Sequence, residues 1–213
     1  MKSDRGENQI FLRGYLAEPP RFSHESHGAV YHIFPLEVPR LSGATDLLNI
    51  LAPLPLLELL APKEGELLEI AGEVRSFNNR SGIGRKLVIS VLARSIVRTD
   101  APPANELILS GSLCRAPSLR HTPLGRDICD LLLAVNRRYG RSDYLPCIAW
   151  GSLALACGDL PVGTHLRLEG RLQSRIYYKE ENGRSVPHTA YEVSAMSILL
   201  DESEADAESP EKN

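Results

Sequence analysis

The sequence predicts an all-β protein of two tandem five-stranded β-barrels, each with a short helix between its third and fourth strands. Three observations lead there. First, residues 165–173 alternate strictly: Leu166, Leu168, Gly170 and Leu172 fall on one face, and His165, Arg167, Glu169, Arg171 and Gln173 on the other. That is the period of a strand with one buried and one wet face. Second, an apolar run from Tyr144 ends on the single tryptophan, Trp150, and is followed by a short Ala/Leu helix pattern and a Pro-Val-Gly turn. Third, the chain repeats itself.

The repeat holds a constant offset of 97 through Asn8/Asn105, Leu12/Leu109, Gly14/Gly111 and Leu16/Leu113. It continues through Gly28/Gly125, Phe34/Leu131, Leu36/Leu133, Val38/Val135, Arg40/Arg137 and Asp46/Asp143. One inserted residue then shifts the offset to 98, matching Gly65, Leu68, Ile70, Gly72, Val74 and Ser76 to Gly163, Leu166, Leu168, Gly170, Leu172 and Ser174. The last strands, LVISVLARSIV and AYEVSAMSILL, align after a longer insertion in the second copy. The division is therefore a first barrel over 8–98, a proline linker TDAPPA over 99–104, a second barrel over 105–200, and a tail over 201–213.

In the second copy, strand one is about Glu106 to Cys114, strand two Asp127 to Asn136 and strand three Tyr144 to Trp150. A helix covers about Ser152 to Cys157. Strand four is about His165 to Arg175, and strand five Thr189 to Leu200. Five strands with a helix between the third and fourth is the pattern of an OB-fold barrel. Gly111 and Gly170 lie inside strands, where a small barrel needs a sharp bend or close backbone approach. In the first copy the helix slot is APLPLLELLAP, with Pro55 suited to a first helical turn and Pro62 to a stop. The Asn/Gly-containing segments Phe77–Lys86 and Tyr177–His188 read as mobile loops. The tail, almost without apolar residues, reads as disordered.

Composition bounds the function. The 213 residues are 43% hydrophobic and 24% charged, with a net charge of -3. The tail carries six acids and one lysine, so the rest is mildly basic, and that excess resides in the second copy. Charge alone does not identify a nucleic-acid partner. No apolar run reaches the ~18–20 residues of a membrane span, and the polar N-terminus has no secretory core, so a cytoplasmic location is expected. Cys114, Cys129, Cys147 and Cys157 form no CxxC pair and read as free buried thiols. His24 and His27 read as part of a polar loop. No nucleophile, acid–base or phosphate-loop motif is present, so neither catalysis nor a cofactor or metal is expected.

The aromatics carry the functional signal. Tyr139, Tyr144, Trp150, Tyr177 and Tyr178 surround strands two to four of the second copy, interleaved with Arg137, Arg138, Arg141, Arg175, Lys179 and Arg184. Flat rings with cations between them suit unstacked bases and their phosphates, and each stacked base contributes ~1–3 kcal/mol. The other reading is that Trp150 and one tyrosine fill the barrel. Neighbouring side chains point to opposite faces, so Tyr177 and Tyr178 cannot both face one ligand without a bulge. The first copy lacks the set: Leu47 stands at the position of Tyr144 and Pro53 at that of Trp150.

Three stretches resemble the bacterial single-stranded DNA-binding protein family. They are the opening Asn105, Gly111, Leu113 and Pro117; the run Cys147 to Gly151; and Val162 to Arg175 followed by Tyr191-Glu192-Val193. The resemblance implies sequence-tolerant binding of single-stranded DNA in replication, repair or recombination, with bases stacked on Tyr144, Trp150, Tyr177 and Tyr139. Arg137, Arg175 and Lys179 would meet phosphates. It also implies a homodimer giving four barrels, as in the family's two-barrel forms. The tail departs from the family by ending SPEKN rather than in a Phe-Pro tip that recruits replication and repair proteins. The related primosomal OB proteins lack that tip too, so a protein-interaction scaffold in replication restart is the alternative. An RNA ligand is a third reading.

Overall fold

Two residues show how each barrel is held at its seam. The side-chain amide of Asn8 bonds both the carbonyl and the N–H of Val74, each at 2.8 Å. Its repeat partner Asn105 does the same to Leu172, at 2.7 and 3.1 Å. In each case a side chain substitutes for a ladder rung beside the bend in the facing strand. These contacts belong to a computed structural model that describes residues 7–78, 87–137, 140–181 and 183–200. The tail at 201–213 and most of the Phe77–Lys86 segment lie outside the described residues.

The first half contains β1 (Asn8–Leu16), β2 (Arg21–Ser26), β3 (Ala29–Pro39), β4 (Thr45–Pro53), α1 (Leu54–Leu60), β5 (Leu67–Asn78) and β6 (Leu87–Arg98). The second contains β7 (Ala104–Leu113), β8 (Ser118–His121), β9 (Asp127–Asn136), β10 (Ser142–Trp150), α2 (Ser152–Cys157), β11 (His165–Glu181) and β12 (Arg184–Leu200). Each half closes on itself. β1 pairs β3 and β5, β3 pairs β4, β4 pairs β6 in parallel, and β6 pairs β5. β7, β9, β10, β12 and β11 repeat that circuit. This is the OB-fold connectivity, and closure removes the free edges a small sheet would otherwise expose.

Alternation decides what lies inside. Along β11, Leu166, Leu168 and Leu172 are buried, as are Leu12 and Leu16 in β1 and Phe34 and Leu36 in β3. Burying one such side chain contributes ~1.5–3 kcal/mol. Gly170 answers the requirement for close approach. A Cβ there would run into the Ser194 carbonyl oxygen, and opposite the step from Glu169 to Gly170 the facing strand β12 bulges at Met196, between Ala195 and Ser197. α1 starts after Pro53, carries Pro55 in its first turn, and ends on Ala61 in the left-handed region just before Pro62.

Five expectations change. The Tyr177–His188 segment is a hairpin rather than a mobile loop: the β11–β12 ladder runs unbroken to Glu181 opposite Arg184. The short outer strands β2 and β8 were not expected, since Ser118–His121 is fully exposed and carries no burial pattern. The final strands correspond one residue earlier than the sequence alignment put them, because Gly72 lies opposite Ala93 and Gly170 opposite Ala195. Cys114 is exposed, whereas Cys129, Cys147 and Cys157 are buried. Burial pushes the Cys147 thiol far up and the Cys157 thiol up to about 11. His24 sits in β2, with its ring stacked on Tyr31 at 5.1 Å, rather than in a loop.

The halves join edge to edge. β1 runs antiparallel to β7 from Asn8 opposite Leu109 to Arg13 opposite Ala104, giving one twelve-stranded sheet. A two-fold set of polar contacts locks the junction. Buried Asp143 accepts the Ser76 N–H at 2.6 Å, and buried Asp46 accepts the Ser174 N–H at 2.7 Å. Arg137 bonds Asp143 and reaches the Ser76 carbonyl at 2.9 Å. Arg40 bonds Asp46 and reaches the Ser174 carbonyl at 3.3 Å.

Candidate nucleic-acid interface

β10 carries two kinds of face. Asp143, Leu145, Cys147 and Ala149 point inward and are buried, so Tyr144, Pro146, Ile148 and Trp150 share the outer face. Trp150 is 40% exposed and Tyr144 47%. Neither ring is part of the core. Gly151 follows Trp150 with φ 57, a left-handed turn that suits glycine and launches α2. Opposite Trp150 in β9 stands Ile128, and opposite Ile148 stands Asp130.

β11 completes the surface. After the bulge, Arg171, Gln173, Arg175, Tyr177 and Lys179 take alternate positions on one face, opposite Ser194, Glu192, Ala190, His188 and Val186 of β12. The half-buried Tyr177 ring stacks on His188 at 5.6 Å, with the Arg175 guanidinium carbon 6.0 Å from its centroid. Tyr178 lies on the other face and is exposed. Lys179 is exposed near the tip of the hairpin.

Trp150, Ile148, Arg171 and Arg175 line a groove of about 410 Å³ with Arg120 and Arg40, over a polar floor of Gln173, Ser194 and Glu192. Arg40 comes from the first half, so the groove is built by both barrels. The four guanidinium groups are not equivalent. Arg120 is paired with Asp130 at 2.8 Å, and Arg40 with Asp46. Those hydrogen bonds push both guanidinium pKa values up, so neither loses its charge. Arg171 has a buried Nε with no hydrogen-bond partner in the structure. Glu192 accepts from Gln173 at 2.8 Å, which fixes the one carboxylate of the groove against its floor.

The structure thus brings Trp150 and Arg175 into one groove and sets Tyr177 beside Arg175. It places Tyr144 and Arg137 at the junction instead, where the Tyr144 N–H donates to Ser76 Oγ at 2.8 Å and Arg137 is engaged by Asp143 and Ser76. Tyr139 lies outside the described residues. Sequence reasoning missed Arg171, Arg120 and Arg40. Arg171 was findable, since it shares the alternation of Arg175 and Tyr177. Arg40 was not, because no pattern within one half tells which residues the other half presents.

The corresponding face of the first half is different in charge. Glu73 stands where Arg171 does and Phe77 where Arg175 does. Glu73 pairs with Arg75 and with Arg94, the latter at 2.9 Å, so the charges there offset each other. Tyr31 sits opposite Pro53, the reverse of Ile128 opposite Trp150. Among the described residues no three metal-ligating side chains converge, and no helix is long and apolar enough to cross a membrane.

Comparison with known proteins places this geometry. Residues 104–200 match the model of the single-strand binding protein family. Single-stranded DNA-binding protein 2 of Listeria innocua is 33% identical over 116 residues, covering 51% of this chain and 71% of that protein. Single-stranded DNA-binding protein A of Bacillus subtilis is 32% identical over 87 residues, and the chain spans 51% of its length. Among solved structures, a deletion mutant of the single-stranded DNA binding protein from Thermus aquaticus matches with a TM-score of 0.76 at 25% identity, covering 93% of this chain and 96% of that one. The wild-type protein from the same organism covers 98% of this chain and 97% of its own, at 24% identity, and bears on the fold alone.

Proposed function

The chain belongs to the single-strand binding protein family, and from that premise we propose that it binds single-stranded DNA, without catalysis and without sequence selection. The observation that carries the reading is the groove in which an exposed tryptophan faces Arg171, whose Nε has no partner, beside Arg175 and Arg120. Bases stack on Trp150 and Tyr177, and phosphates meet Arg171, Arg175 and Lys179. A stacked base contributes ~1–3 kcal/mol and needs only a π-face, so every sequence is accepted. Tyr144 and Arg137 extend the same surface towards the first barrel. Tyr139, which follows strand two in the sequence, is by the family resemblance a further stacking position. The single carboxylate lining the groove, Glu192, is held by Gln173 on the groove floor.

The scaffold alternative is not favoured: the relatives described above are single-stranded DNA-binding proteins by name. Two chains associate into a homodimer with four barrels, act in the cytoplasm on the nucleoid, and work alongside replication and repair proteins. The test is direct. Trp150 is the single tryptophan, so its fluorescence falls when saturating oligo-dT is added at moderate salt. An unchanged signal, with no binding by gel shift, overturns the reading. Light scattering of the free protein decides between monomer and homodimer.

A further inference from the structure

We infer that the single-strand track crosses the junction onto the first barrel, where Phe77 of β5, next in the chain to the Ser76 that Tyr144 bonds, offers a stacking ring braced by the Arg137 guanidinium. This rests on the single-strand reading above and adds a base-binding position to it. The outer face of β10 runs from Trp150 through Ile148 and Pro146 to Tyr144, about six residue steps or roughly 20 Å at strand rise. At its Tyr144 end this face meets the first barrel again, where the Tyr144 N–H donates to Ser76 Oγ at 2.8 Å. Phe77 is the next residue after Ser76. Its ring is 42% exposed, and the Arg137 guanidinium carbon lies 5.6 Å from its centroid.

That arginine is not free to swing. It bonds buried Asp143 and the Ser76 carbonyl, so guanidinium and ring are held as one ledge. A base settling on this ledge meets a cation already held in place by its own hydrogen bonds. The two-fold related place does not offer the same. Leu47 stands there for Tyr144, its N–H bonding Ser174 Oγ at 2.9 Å, and Arg175 stands for Phe77. The ledge is thus on one side of the junction, where it joins Trp150 and Tyr144 into a single path across both barrels.

The test uses the full chain and oligo-dT of about 30 nucleotides, long enough for two barrels. Phe77→Ala is expected to weaken binding about ten-fold, the loss of one stacked base. Phe77→Leu keeps apolar bulk and is expected to weaken it about as much, whereas a merely structural Phe77 tolerates leucine. A second variant, Phe77→Trp with Trp150→Phe, puts the only tryptophan on the ledge. Its fluorescence falls on saturation if the strand crosses the junction, and an unchanged signal overturns the inference even if Phe77→Ala does not fold. Quenching of Trp150 in the natural chain with no quenching at position 77 removes the ledge alone. Loss of both removes the single-strand reading itself.

Discussion

The backbone N–H of Ser76, in the first barrel, donates to Oδ1 of Asp143, in the second, at 2.6 Å. Asp143 is fully buried, and it also accepts from Arg137 and, at 2.9 Å, from Arg75. Among the described residues its two-fold counterpart Asp46 takes only Arg40 and Ser174, and Gln173 stands where the second arginine would be. Removing one member of a buried charge network leaves the others unpaired and costs about 3–5 kcal/mol. Asp143→Ala is expected to lower stability by that order, and Asp46→Ala by less, with one guanidinium fewer stranded. Denaturant unfolding of both variants checks the ranking; equal or negligible losses count against the junction as the lock.

Arg171 and Arg120 line one groove but differ in what their charge is doing. Arg120 already answers Asp130 at 2.8 Å, while Arg171 leaves Nε unpartnered. Each phosphate neutralised on a single strand contributes about 0.7 to the slope of log affinity against log salt. Arg171→Gln is expected to lower that slope by about 0.7, and Arg120→Gln by less. The measurement is Trp150 quenching by oligo-dT over a salt series. A slope unmoved by Arg171→Gln shows that no phosphate sits there.

A Cβ at Gly170 would run into the Ser194 carbonyl oxygen, backbone against backbone, with no flexible atom to yield. Gly170→Ala is therefore expected to destabilise the second barrel by about 1–3 kcal/mol, the scale of an overpacked core. The denaturation midpoint should fall without a change in slope. A variant as stable as the natural chain would show that the bulge can open at no cost.

Much of this was legible before any coordinates. Strict alternation named β11, the Asn8/Asn105 and Gly72/Gly170 matches named the duplication, and the bounds of β9 and α2 agree with the structure. What escaped had no hydrophobic signal to give. β8 is wholly exposed, so nothing in its pattern distinguishes it from a loop. The β11–β12 tip is charged and turn-rich, and it is held by ladder hydrogen bonds that composition does not encode. In the site, alternation could say that Arg171 is wet, but only folding says that it faces Trp150. The placing of Tyr144 at the junction and of Arg40 in the second groove depends on how two barrels dock.

Thiol reactivity follows burial. Cys114 alone among the four cysteines is exposed; burial raises all four thiols, with Cys147 pushed far up and Cys157 to about 11, so access is what sets Cys114 apart. The thiolate is the nucleophile, so a disulfide reagent at neutral pH is expected to label Cys114 quickly in the native state and the other three only after unfolding. Prompt labelling of two or more sites would mean that the β9–α2 packing opens readily.

Glu73 gives the first barrel a pH dependence whose sign can be worked out. Burial alone would raise its carboxyl. The hydrogen bond from Arg94 and the charges of Arg75 and Arg94 outweigh that and hold it below the usual carboxylate range. A carboxyl depressed in the folded state contributes stability that is present above its unfolded value, about 4.3, and is lost as pH falls through the folded value. Stability should therefore decline as the solution is acidified below about pH 4.3, with part of the decline belonging to this residue. Glu73→Gln cannot titrate and loses the attraction at every pH. It is expected to be less stable than the natural chain near neutrality and to converge on it in acid. Two stability curves that stay parallel down to pH values well below 4 would show that Glu73 is not held by its arginines.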